Sequence, residues 1–94
     1  MGYHLKEICR GKVGELSKIQ EELDEAIDAE DQENQVMILI ELSDIIGAVE
    51  CYLEKKFDGV ITIEDLVTMA KATRRAFLSG ARTCRDSNTT STPQ

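Results

Sequence analysis

Residues 21–50 read EELDEAIDAEDQENQVMILIELSDIIGAVE, and the fold follows from how this stretch is punctuated. Its middle, residues 30–34, is wholly polar and suits a short connection between two antiparallel helices. Upstream, Ile19, Leu23, Ala26 and Ile27 recur at helical spacing on one face. Ser17 with Gln20 has capping-box spacing, so a first helix is expected from residue 15 or 17 to residue 29. Downstream, a longer helix is expected over residues 35–57, closing at Asp58 and Gly59, where glycine takes the left-handed conformation without steric cost.

The longer helix is apolar nearly all round. Ile38, Leu42, Ile45, Ile46, Val49 and Leu53 define one broad face, yet Val36, Met37, Ile40, Ala48 and Cys51 cover much of the opposite side. Such a helix is central, buried on several sides. Thr62 with Asp65 gives a further capping signal before Ile63, Leu66, Val67, Ala70 and Phe77, which places a third helix over residues 63–79 with Gly80 as its stop. Residues 1–14 hold Gly2, Gly11 and Gly14 and no sustained period, and read as an extended arm. Residues 81–94 have almost nothing to bury and read as a disordered tail. The expected organisation is an arm (1–14), one all-α domain (15–80) made of a helical hairpin plus a third helix, and the tail.

A chain of 94 residues buries too small a fraction of its surface for a large core of its own. The second apolar side of the central helix is therefore expected to be covered by a homodimer, or a dimer of dimers, that completes a helical bundle. The chain carries 18 Asp and Glu against 11 Lys and Arg, a net charge of −7, which repels a nucleic-acid backbone and argues against that partner. No stretch approaches the roughly 20 apolar residues that span a bilayer, and the opening MGYHLKEICRGK lacks the apolar core of a signal peptide. A cytoplasmic protein without membrane contact is expected, with Cys9, Cys51 and Cys84 as free thiols, since they lie far apart and form no CxxC pair.

Two acidic pairs stand out against this frame. Glu22 and Glu25 lie three residues apart on the first helix, and Glu41 and Asp44 three apart on the second, a spacing that makes helical side chains neighbours. Both pairs are equally distant from residue 33, in the middle of the polar turn, so an antiparallel hairpin brings them to the same height. EELDEA alone is common on wet helix surfaces. ELSD inside an apolar helix is not, and four carboxylates around one volume repel unless protons or cations neutralise them. Hard oxygen ligands with no histidine among them suit magnesium, or manganese, rather than zinc or copper.

EELDEA at residues 21–26 and ELSDIIGAVE at residues 41–50 resemble the ExxE and ExxD signature of the MazG-like, dimeric dUTPase and phosphoribosyl-ATP pyrophosphohydrolase superfamily, over roughly residues 15–80. The resemblance implies a magnesium-dependent pyrophosphohydrolase that converts a nucleoside or deoxynucleoside triphosphate to monophosphate and pyrophosphate. Glu22, Glu25, Glu41 and Asp44 would hold the metal, and Glu21 with Glu22 would help activate water. Lys71, Arg74 and Arg75, in KATRR, resemble the family's KFxRR stretch and would bind substrate phosphate, although a basic helix end is equally served by the helix dipole. Met69 stands where the family often has asparagine, so the reading of base and sugar does not carry over. The resemblance also implies a dimer or tetramer with sites near the subunit boundary. The reading from another class is a helical module that binds a nucleotide, or a protein, without efficient turnover. His4, Arg10 and Lys12 on the arm are left unassigned, and Tyr52 and Phe57 are read as packing residues.

Overall fold

A computed structural model describes residues 4–80. Among them are three helices and no strand: α1 (Leu16–Asp31), α2 (Gln35–Phe57) and α3 (Ile63–Ser79). The described residues are all-α, and α2 and α3 have the bounds that the sequence predicts. The expected tail, with Cys84, lies outside the described residues. No described helix is long and apolar enough to cross a membrane.

Local chemistry sets the helix ends. α1 starts ahead of Ser17, with Glu15 at its N-cap and no side-chain cap, so the expected capping box is not used. The Ser17 hydroxyl instead accepts the Lys12 N–H at 3.0 Å and ties down the arm. Between α1 and α2, Asn34 donates its N–H to the Ala29 carbonyl at 3.1 Å, while its side chain accepts the Met37 N–H at 3.0 Å and caps α2. At the far end of α2 the left-handed step is taken first by Asp58 (φ 53°) and then by Gly59 (φ 76°). Asp is among the few residues that tolerate that region.

The chain divides into two units, Met1–Ile63 and Glu64–Gln94. The first holds the arm and the α1–α2 hairpin. Its buried apolar residues are Ala26 and Ala29 on α1 and Met37, Ala48 and Leu53 on α2. Only Met37 and Leu53 among these are full-sized, each stabilising by about 1.5–3 kcal/mol.

The packing of α2 corrects the sequence reading. Met37 and Ala48, assigned to the side left for a partner, are buried, whereas Leu42 and Ile46, from the expected core face, are exposed. Met37, Glu41 and Ala48 share one helical face. The reason lies in α1, whose buried positions are Glu21, Glu22, Asp28 and two alanines rather than large apolar groups. Against such a surface α2 turns its acid-bearing face, not its largest apolar one.

The arm is not free chain. Leu5 N–H donates to Asp28 Oδ2 at 3.0 Å and Gly11 N–H to Glu21 Oε1 at 2.9 Å, so the arm runs antiparallel along α1. A Cβ on Gly11 would fall 2.1 Å from the Ser17 carbonyl oxygen, so only glycine passes that close to the helix start. In the second unit, described by itself, α3 has no buried residue, and Val67, Met69, Phe77 and Leu78 are exposed.

Candidate metal centre

The hairpin brings the two acidic pairs together. Glu22, Glu25, Glu41 and Asp44 line one groove of about 800 Å³, with Glu21 beside them. Carboxylate oxygens of Glu22, Glu41 and Asp44 lie within 4.8 Å of one another, as do those of Glu21, Glu22 and Glu25. The symmetry of both pairs about the turn therefore translates into three-dimensional proximity. Asp44 is exposed at the groove, whereas Glu22 and Glu41 are only 6% and 5% exposed. Lys71, Arg74 and Arg75 are exposed on α3, which belongs to the second unit.

Two atoms carry most of the information. Glu22 Oε1 and Glu41 Oε1 are buried and have no hydrogen-bond partner. An unpaired buried carboxylate oxygen costs free energy that a cation or a donor must offset. Four carboxylates of hard oxygen donors with two such atoms among them fit a divalent cation.

The neighbouring charges sort the acids into two groups. Glu21 is held below the usual carboxylate range, first by the Gly11 N–H and then by the Lys18 ammonium, which outweigh its burial. Lys18 reaches both Glu21 (3.2 Å) and Glu22 (3.1 Å). Glu22 is pushed up by burial, with the Glu25 carboxylate adding to it against the pull of Lys18. Burial likewise raises Glu25, helped by the facing Glu41. Glu21 is thus the more acidic of the three, and Glu22 and Glu25 the less.

Two residues that sequence reasoning left out complete the centre. His4 reaches in from the arm, its Nδ1 2.9 Å from Asp28 Oδ2 and its Nε2 3.1 Å from Glu41 Oε2. Asp28 is 1% exposed, and the same Oδ2 also accepts the Leu5 N–H and, at 2.9 Å, the Gln32 amide. Burial alone would raise Asp28, yet these donors hold it below its ordinary value. Burial likewise opposes the charge on His4, but Asp28 and Glu41 outweigh it and raise the imidazole pKa. Asp28 was legible, because it extends the Glu22–Glu25 stripe by another three residues. His4 was not, since no periodicity links an arm residue to a helix. The premise of a histidine-free cluster is therefore corrected.

These shifts fix a pH dependence for the metal-free protein. His4, raised on folding, stabilises fully below its unfolded pKa, and that contribution is lost as pH rises through its folded pKa. Glu22 and Glu25, also raised, cost nothing while protonated in both states and their full penalty above their folded pKa values. Glu21 and Asp28, lowered, contribute stability above their unfolded pKa values that is lost only as pH falls through the folded ones. Between about pH 5.5 and 8 the last two are constant, so the melting temperature in chelator is expected to fall across that window. A melt followed by circular dichroism that rises instead would rule out a charged His4 between Asp28 and Glu41.

Compared with protein-family models, curated proteins and solved structures, the chain finds no match. What the centre does is therefore read from its residues and geometry.

Proposed function

We propose that this chain is a magnesium-dependent nucleotide pyrophosphohydrolase, cutting a nucleoside or deoxynucleoside triphosphate between its α and β phosphates. The observation that carries the reading is the groove in which Glu22, Glu25, Glu41 and Asp44 converge with two buried, unpartnered oxygens. The same four residues are those of the two motifs that resemble the MazG-like signature.

Those four residues would hold the ion, with manganese as the substitute. Bound there, magnesium supplies neutralisation of phosphate charge and polarisation of the bond to be broken. The chain's own groups do the rest. Glu21 and Glu22, side by side at the groove, would help take a proton from an incoming water. Arg10, and Lys6 with its Asp31 partner, line the same groove from the arm and would supply positive charge for a polyphosphate. The volume suits a nucleotide-sized ligand. A second copy of the chain would cover the exposed side of α2.

Purified protein incubated with magnesium and a panel of ordinary and modified nucleotides should release a monophosphate and pyrophosphate, identified by chromatography. Orthophosphate as the product would mean a different cleavage. Tight binding without product would leave the groove as a nucleotide-sequestering module.

Magnesium should also stabilise the fold, because a cation that binds only the folded state acts by mass action. At ten times its Kd it contributes about 1.4 kcal/mol, which raises Tm by roughly 6–11 °C for a domain of this size. Calcium should stabilise too but support little hydrolysis, its looser geometry positioning phosphate and water poorly. A melt unchanged across millimolar magnesium would leave the acids as ordinary charge.

A further inference from the structure

We infer that His4, Glu25 and Glu41 form a mixed nitrogen and oxygen site for a first-row transition cation such as zinc or cobalt, with Asp28 as the residue that positions the imidazole. This goes beyond the magnesium reading. It shares Glu25 and Glu41 with that reading but does not depend on nucleotide hydrolysis.

The three side chains offer His4 nitrogen and two carboxylate oxygens within 4.8 Å of one another. His4 Nε2 and Glu41 Oε2 are 3.1 Å apart, the separation of two ligands at bond lengths of about 2.1 Å that meet a metal near a right angle. The independent sign of a ligand is Glu41 Oε1, a buried atom with no partner on a residue that is 5% exposed and lines the groove. Hydrogen bonds inside the cluster leave that atom unexplained, whereas a cation would satisfy it.

The Asp28 contact gives the site its direction. With Nδ1–H donated to a carboxylate that is 1% exposed, the imidazole presents Nε2 to Glu25 and Glu41 rather than to solvent. Metal-ligating histidines are oriented in this way, and the carboxylate partner also raises ligand basicity. Asp28 is fixed in turn by Leu5 N–H and the Gln32 amide, so the imidazole rests on a braced support. Imidazole favours zinc, copper, iron and nickel over magnesium, so the arm changes the metal preference of a centre whose helices alone offer only oxygen.

The chain has one histidine, which makes the test direct. Untagged full-length protein, labelled with ¹⁵N-histidine, is titrated with zinc in the absence of nucleotide and followed by long-range ¹H–¹⁵N spectra of the ring. Nε2 is expected to move to a metal-bound position while Nδ1 stays protonated. By calorimetry, His4→Ala should lower zinc affinity at least tenfold relative to magnesium affinity, and Asp28→Asn should lower it by about 10–100-fold while disturbing the ring tautomer. His4 lies outside the helices, so helical circular dichroism should be unchanged in His4→Ala. Ring signals unmoved at saturating zinc, or wild-type zinc affinity in His4→Ala, would overturn the inference. Magnesium-dependent hydrolysis with unmoved ring signals would sink this site alone. Zinc capture through His4 in a chain that hydrolyses no nucleotide would uphold it and sink the pyrophosphohydrolase reading.

Discussion

Glu41→Gln and Asp44→Asn are each expected to lower magnesium-dependent hydrolysis by more than about 100-fold, since losing even a residue that supports a ligand costs about 10–100-fold. The two should differ in what they do to the metal-free fold. Asp44 is exposed at the groove, so its neutralisation removes repulsion and disturbs little else. Its chelated melting temperature should equal or exceed that of the wild type. Glu41 has two opposed roles. Its charge repels the facing Glu25, but its Oε2 also partners His4. Glutamine keeps the shape and an accepting oxygen while weakening that charge-assisted bond, which is worth about 1.5–3 kcal/mol at most. Repulsion relieved and attraction lost therefore nearly cancel, and Glu41→Gln should keep its helical circular dichroism with a small change in Tm. Turnover at the wild-type rate in either variant would remove that residue from the ligand set.

The bounds of α2 were legible because their causes are local, whereas α1 uses no capping box and runs two residues past the expected end, to Asp31. A run of five polar residues, an asparagine that caps its own helix and an Asp-Gly pair mark the ends of α2 without help from tertiary structure. The acidic quartet was legible for a related reason: two three-residue spacings symmetric about a turn become neighbours once the turn is made. The inward face of α2 was not legible. A helix apolar on most sides has no unique inward direction, and the choice was made by the carboxylates and alanines of α1. The arm was hidden altogether, because its hold on α1 rests on single long-range bonds such as Gly11 N–H to Glu21 and His4 to Asp28. Only the glycine at residue 11 hinted that backbone passes close to a helix there.

That choice of face changes the design of the assembly test. Leu39, Leu42 and Ile46 lie within about 60° of one another around α2, on the side away from Met37 and Ala48, and all three are exposed. Ile45, by contrast, is half-buried. Ile45→Glu would therefore disturb the packing of its own chain, whereas Ile46→Glu, at a position 53% exposed, places a charge where the proposed second copy sits. An isologous interface doubles the effect, since the symmetric partner brings the same charge. Burying a carboxylate without a partner costs several kcal/mol, enough to move a micromolar dimer to monomer at working concentrations. Ile46→Glu should keep its helical signal and lose assembly. Light scattering coupled to size exclusion decides it: wild-type protein at micromolar concentration should run at twice or four times the 10.5 kDa chain mass. A wild-type mass equal to that of one chain would mean that no second copy covers Leu39, Leu42 and Ile46, and the shared bundle would be lost with it.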